Sequence, residues 1–360
     1  MTPTGSAETD DLRDRVQDVL DRFLDRQEAA LGAVSADLAP LMATMRDLLR
    51  GGKRLRSAFC YWGWRGAGGS AGSSTDDGVV GVAAALEMFQ AAALLHDDVM
   101  DGSDTRRGGP SAHRRMAELH RRNGWEGSSD AFGVAAAILA GDLCLSWSDE
   151  LFTGSGLPEF LLVRARPVFD RMRTELMAGQ YLDMFEQVQR TTSVARARHV
   201  IRYKSAQYTV EQPLLLGGAL GGADDGLLAA YSRFGLALGE AFQLRDDVLG
   251  VFGDPAETGK PAGDDLREGK RTALVAAAVQ AADGEQAATV RRLLGDPQLD
   301  AGGVARLQSL ILATGALDRI EGLIDARLAE ALQAFREAPV QPTAAEALER
   351  LAVAATARVG

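Results

Sequence analysis

Residues 79–101 read VVGVAAALEMFQAAALLHDDVMD, and the fold turns on how this stretch is taken. It is long enough to cross a bilayer. It also carries Glu87, Gln90, His96, Asp97 and Asp98, and two ionised aspartates are very costly in lipid. The stretch therefore reads as a buried helix of a large soluble domain. It closes on Asp97-Asp98-Val99-Met100-Asp101, where Asp97 and Asp101 stand four apart and share one helix face. These carboxylates repel each other with no cation at i±4, and at a helix C-terminal end they oppose the helix dipole. A local cost without a structural return points to function. Oxygen ligands on one side only suit magnesium, which keeps waters and completes its shell with substrate phosphates.

Outward along the chain, Asp246-Asp247-Val248-Leu249-Gly250 repeats the theme after a second apolar helix containing Phe234, Leu236, Leu238 and Phe242. One such pair is a common solvated helix end. Two of them, each behind a long apolar helix, predict carboxylates facing each other across the mouth of a helix-lined cavity. Basic residues accompany both: Lys53 and Arg56 three apart on one face, Arg106-Arg107-Gly108 after the first cluster, and Lys204, Lys260 and Lys270 around the second. The Lys53 run lacks GxxxxGK[ST] and a preceding strand, so it is not a P-loop. As a set, these cations match two diphosphates, with magnesium on one and arginine and lysine on both.

The rest of the chain is helical in pattern. Apolar residues recur at three and four from Asp11 to about Leu31. Further helices are predicted at 35–49, 53–64, 111–122, 130–152, 157–190, 194–222 and 224–252, with four shorter ones to Val359. No run alternates strongly enough for a strand. Residues 1–10 read as disordered, and 11–360 as a single all-α domain of some ten to twelve helices. The 360 residues are 46% hydrophobic, 25% charged and only 6% aromatic, rich in helix formers. A net charge of −11 argues against general binding to nucleic acid or anionic membrane. Cys60 and Cys144 are too far apart for a disulfide framework, and the four histidines make no zinc motif. The polar, acidic start lacks a signal peptide's features, which predicts a cytoplasmic protein.

The chain resembles the trans-polyprenyl diphosphate synthases, the family of the farnesyl and geranylgeranyl diphosphate synthases. The resemblance spans roughly Gly51 to Thr272 in the family's motif order. It is carried by Gly52-Lys53-Arg54-Leu55-Arg56; by Leu95 through Asp101, continued by Ser103-Asp104-Thr105-Arg106-Arg107-Gly108; and by Ala140-Gly141-Asp142 and Gly179-Gln180-Tyr181-Leu182-Asp183. Lys204-Ser205, Phe242-Gln243-Leu244-Arg245-Asp246-Asp247 and the span from Gly259-Lys260 to Gly269-Lys270 complete it. It implies an isoprenoid synthase fold, all-α around a deep central cavity, usually as a homodimer. It also implies roles. Asp97 and Asp101 would bind two magnesium ions with Asp98 in support, and Asp246 a third with Asp247 close by. Arg106, Lys204, Gln243 and Lys260 would hold the allylic diphosphate, with Ser205 and Lys270 nearby. Lys53, Arg56, Gln90 and Arg107 would hold isopentenyl diphosphate. Three positions depart from the pattern. Gly250 stands where the second motif usually ends in Asp, with Asp254 the nearest candidate to replace it. Gln90 fills a slot that is often His, and Ser205 one that is often Thr.

The implied reaction needs no general base from the protein: an allylic cation forms as diphosphate leaves, isopentenyl diphosphate attacks it, and the released diphosphate takes the proton. In the family, bulky residues four or five positions before the first Asp stop growth near fifteen carbons. Here these are Ala93 and Ala92, and the first large side chain on that face is Phe89, a further turn away. One helical turn is about 5.4 Å, close to one isoprene unit. The expected product is therefore geranylgeranyl diphosphate (C20), with longer chains if Phe89 only packs in the core. A class I terpene cyclase, which carries an Asn/Ser/Glu second motif, and a non-catalytic partner subunit of an active synthase are the competing readings.

Overall fold

The computed structural model describes residues 4–189, 192–254, 263–296, 298–336 and 338–357. The chain divides into two compact units. The first comprises Met1–Arg166, Pro213–Ala223 and Gln341–Ala347; the second comprises Pro167–Gln212, Asp224–Val340 and Leu348–Gly360.

The first unit holds α1 (Thr4–Val34), α2 (Ala39–Leu49), α3 (Leu55–Gly66), α4 (Asp76–Asp101), α5 (Ala112–Arg122) and α6 (Ser129–Thr153). Helix α1 begins ahead of the expected Asp11, because its early carboxylates have partners: Asp10 pairs with Arg13 at 2.9 Å, and Glu8 lies 4.0 Å from Arg65 on α3. Helix α4 packs against α1, α3 and α6. Every residue from Gly78 to Phe89 is buried, as an apolar helix with no polar face requires. By length and composition α4 and α6 are both apolar enough to cross a membrane, but the apolar window of α4 is 83% buried within the protein. After Asp101 the loop pairs β1 (Thr105–Arg106) with β2 (Gly109–Pro110), antiparallel. Two-residue strands are too short to leave an alternating pattern in sequence.

Helix α7 (Glu159–Gln189) carries the chain into the second unit. The helix expected at 194–222 is interrupted: α8 (Val194–Val200) passes into a π-helical stretch, Ile201–Glu211, before α9 (Gln212–Gly221), which from Pro213 belongs to the first unit. Helix α10 (Asp225–Phe252) packs along the π stretch. Among the described residues six more helices follow where four were expected: α11 (Asp264–Glu268), α12 (Ala273–Ala281), α13 (Gly284–Leu293), α14 (Ala301–Ala313), α15 (Ala316–Gln333) and α16 (Pro342–Thr356). Left-handed Gly269, Gly295 and Gly315 stop α11, α13 and α14. Side-chain caps from Thr272, Asp283 and Asp300 start α12, α13 and α14. The core here joins Leu244, Val248 and Val251 of α10 to Leu274, Ala277 and Ala278 of α12 and Ile320 and Ile324 of α15.

Candidate active site

In the first unit the acid cluster lies at the C-terminal end of α4. Below it the helix is buried all round, but from residue 90 onward one face opens. Gln90, Ala93, Leu94, Asp97 and Asp101 are half-buried at helical spacing, while Phe89, Ala92, Leu95 and Asp98 are buried. The open stripe from Gln90 to Asp101 covers eleven residues of rise, about 16 Å. It stops at Phe89, which is 2% exposed.

Asp98 points the other way, into the protein. Nε of Arg106 donates to it at 2.9 Å, its Nη2 makes a second, shorter bond, and Nη2 lies 3.6 Å from Asp97. Arg106 thus ties β1 back onto the acid cluster and neutralises its buried member. Arg107 reaches in the opposite direction. Its Nη1 donates to the carbonyls of Leu48, at 2.6 Å, and Arg50, at 3.2 Å, where α2 ends. It also lies across Gly52, where a Cβ would stand 3.0 Å from its Nη2. Burial, and after it the charges of Arg54 and Arg106, hold the Arg107 guanidinium below its ordinary value. The loop before Lys53 and the loop after Asp101 are therefore joined by Arg107.

Arg54 and Arg107 are the non-glycine residues with left-handed backbone among those described, at φ 50° and 52°. Strain of this kind persists where surroundings over-determine it. For Arg54 they do. Its buried guanidinium donates to Glu87 at 3.2 Å, to Gln17 at 2.6 Å and to the Leu49 carbonyl. Glu87 in turn accepts from the Ser57 hydroxyl at 2.9 Å and from its amide at 3.3 Å. This network fixes the start of α3, leaving Lys53 exposed and Arg56 half-buried on either side. It also explains an ionisable residue in the middle of an apolar helix. His96 is placed by α6: its Nε2 lies 3.1 Å from the Ile138 carbonyl and 3.5 Å from Asp142. A Cβ on Gly141 would fall inside the imidazole, so the Ala140-Gly141-Asp142 motif is the seat of His96.

In the second unit Lys204 and Ser205 lie on the π-helical stretch, a backbone distortion frequent at functional sites. Lys204 Nζ donates to Asp183 on α7 at 2.6 Å. Gly179, one turn earlier, lets α7 approach: a Cβ there would stand 2.5 Å from the backbone nitrogen of Lys204. Gly239 does the same for α10, where a Cβ would stand 2.5 Å from Ala206 Cα. One turn on, Gln243 donates to Asp247 at 3.0 Å and to Asp246 at 3.4 Å. Asp246 is exposed and Asp247 is buried. Burial raises the Asp247 carboxyl well above its ordinary value, and the charges of Asp265 and Asp246 push the same way. Arg245, inside the motif, faces away from the acids: it forms a forked pair with Glu321, at 2.5 and 2.8 Å, and donates to the Thr356 carbonyl at 3.2 Å. The acid lying against Gly250 is Asp265 of α11. Asp265 lies 3.5 Å from Lys270, which is 2.8 Å from Glu268. Lys260 falls outside the described residues.

The predicted residues thus form two groups, Asp97–Asp98–Asp101–Arg106 in one unit and Gln243–Asp246–Asp247 with Lys270 in the other. Among the described residues no three His, Cys, Asp or Glu side chains form a ready-made cage for an ion. An all-oxygen donor set on a half-open face nonetheless fits magnesium, which needs only one or two carboxylates beside phosphate and water.

Residues 39–311 match the polyprenyl synthetase family. The chain belongs to this family. It is a prenyltransferase, and every predicted site residue lies within the match. The geranylgeranyl diphosphate synthase of Mycobacterium tuberculosis is 34% identical over 81% of this chain and 77% of its own length. The geranylfarnesyl diphosphate synthase of Aeropyrum pernix is 31% identical over 78% and 81%. Among solved structures, geranylgeranyl pyrophosphate synthase from Corynebacterium glutamicum, complexed with isoprenyl diphosphate and magnesium, is 40% identical with a TM-score of 0.93. That match covers 96% of this chain and 98% of the other.

Proposed function

We propose that this family member condenses isopentenyl diphosphate head to tail with an allylic diphosphate, making geranylgeranyl diphosphate as its main product. We further propose that its two acid groups serve one allylic diphosphate through three magnesium ions. The observation that carries the reading is the open stripe on α4, which runs from the acids past Ala93 to Gln90 and ends on buried Phe89. Ala93 stands one turn before Asp97 on that face, and Phe89 closes it one turn further on, as a chain-length ruler requires. The named C20 synthases among the relatives support the same length.

Asp97 and Asp101 would hold two of the ions and Asp246 the third, with Asp98 fixed behind them by Arg106. When bound, magnesium would neutralise the departing diphosphate. Arg106, Lys204, Ser205, Gln243, Lys260 and Lys270 would hold that diphosphate in place. Lys53, Arg56, Gln90 and Arg107 would hold isopentenyl diphosphate so that its double bond meets the allylic carbon. Charge stabilisation and positioning then carry the rate.

A homodimer in the cytoplasm is part of the proposal. Helix α6 exposes Ile138 and Leu139, and α7 exposes Phe160, Val163, Met177, Tyr181 and Val188. Apolar faces of that extent mark association surfaces. Sedimentation equilibrium should give twice the 38.2 kDa chain mass, and Leu139→Asp with Val163→Asp should give the monomer. The deciding experiment incubates purified protein with magnesium, labelled isopentenyl diphosphate and each allylic primer, then measures prenol length. C20 supports the proposal, and C25 or longer supports the second reading, favoured by the A. pernix relative. No incorporation with any primer would leave the partner-subunit reading, and a cyclic hydrocarbon the cyclase.

A further inference from the structure

We infer that Asp265 is a positioning residue of the second acid pair, supplying from α11 the carboxylate that α10 lacks at Gly250. The inference rests on the reading above, in which Asp246 holds magnesium on an allylic diphosphate. Position 250 is one helical turn beyond Asp246, so a side chain there would share its face of α10. Glycine leaves that place empty on α10, and Asp265 fills it. A Cβ built on Gly250 would stand 2.6 Å from Asp265 Cγ, closer than any real Cβ tolerates, and nearer still to Oδ2. The two positions compete for one place: a side chain at 250 would require the Asp265 carboxylate to move.

The placement of Asp265 is built rather than incidental. Helix α11 is only five residues long and lies between left-handed Gly263 and Gly269, at φ 73° and 74°. Leu266, its neighbour, is 1% exposed, and the Leu266 carbonyl accepts from the Gly295 amide at 2.9 Å. The Asp265 carbonyl accepts from the Lys270 amide at 3.0 Å, closing the turn. The same turn brings Lys270 Nζ to 3.5 Å from the Asp265 carboxylate and 2.8 Å from Glu268. The side chains of Asp265 and Lys270 are 14% and 19% exposed, so this pair is screened much less than a surface pair. Asp265 thus does two things for the site. It sets a negative charge on the Asp246 face, and together with the nearer Glu268 it holds Lys270 in one place. Partners of this kind orient ligands and water without touching the reacting atoms.

The test measures binding of Mn2+ in the presence of inorganic diphosphate by electron paramagnetic resonance, alongside turnover and melting curves. Asp265→Asn keeps the shape and removes the charge. It should weaken Mn2+ binding about tenfold or more and raise the magnesium requirement of turnover equally, with an unchanged melting temperature. Moving the carboxylate, by Gly250→Asp together with Asp265→Gly, should restore both, which a purely structural role would not predict. If the paired variant misfolds, Asp265→Asn alone decides. Normal condensation by the wild type with wild-type Mn2+ binding in Asp265→Asn overturns the inference and leaves the proposed function standing. So does an effect found in Asp254→Asn instead. A wild type that neither binds Mn2+ with diphosphate nor condenses substrates overturns both.

Discussion

Phe89 sits two turns before Asp97, on the axis that the acids begin, and is almost fully buried. If it stops the growing chain, Phe89→Ala should move the product from C20 to C25 or beyond, read by chromatography of the hydrolysed prenols. Removing a buried Phe costs about 3–5 kcal/mol when the space stays empty. The longer product should therefore stabilise the variant more than it does the wild type. Unchanged C20 output would remove Phe89 from the account. Glu211 offers a second test at this scale. It is buried at the end of the π-helical stretch, where burial raises its carboxyl above the ordinary 4.5 against the Ser232 and Gln207 hydrogen bonds. The folded state keeps a proton that the unfolded chain releases near that ordinary value. Stability is thus full below it and falls as pH rises through the raised folded value. Glu211→Gln removes the slope and keeps an acceptor for Ser232. It should melt roughly 2–4 °C above the wild type at pH 8, with the gap closing toward pH 4. A constant gap across that range would contradict the assignment.

At the scale of elements, the site depends on how closely helices approach. Gly179→Ala places a Cβ 2.5 Å from the backbone nitrogen of Lys204, and the π stretch must shift to admit it. Overpacking of this kind costs about 1–3 kcal/mol. A displaced Lys204 should lower kcat/KM about a hundredfold, since misplacement by an ångström has that order of effect. Steady-state kinetics with circular dichroism would check it; full activity with a native spectrum would show that Lys204 needs no such seat. These contacts also mark where sequence reasoning reached and where it stopped. Long helices were legible because apolar spacing is a local property, and α4, α6 and α10 lie within three residues of their expected ends. The π stretch left no trace, and the glycines that pack closely on it, Gly179 and Gly239, come from other helices. The acid motifs were legible as types at a spacing. The tie of Arg106 to Asp98, the Arg54–Glu87–Ser57 network and the Asp265–Gly250 contact were not, since each joins residues distant in sequence. Glu87 in an apolar run was the one available signal, and its partner was not deducible from it.

For the whole molecule, what matters is that charge is gathered locally in a chain of net charge −11. Each acid group has its own cations, Arg106 at Asp97 and Asp98, and Lys270 beside the second group through Asp265. Neither group alone explains a reaction between two diphosphates. Condensation as proposed requires that Asp97, Asp101 and Asp246 act on one and the same allylic diphosphate. The most direct test is a crystal structure of the protein with Mn2+ and an unreactive allylic thiolodiphosphate, the ions located by anomalous scattering. Three manganese peaks are expected around a single diphosphate, two on Asp97 and Asp101 and one on Asp246, with the prenyl tail running toward Phe89. Peaks on the two acid groups that share no diphosphate, or a tail directed away from α4, would contradict it.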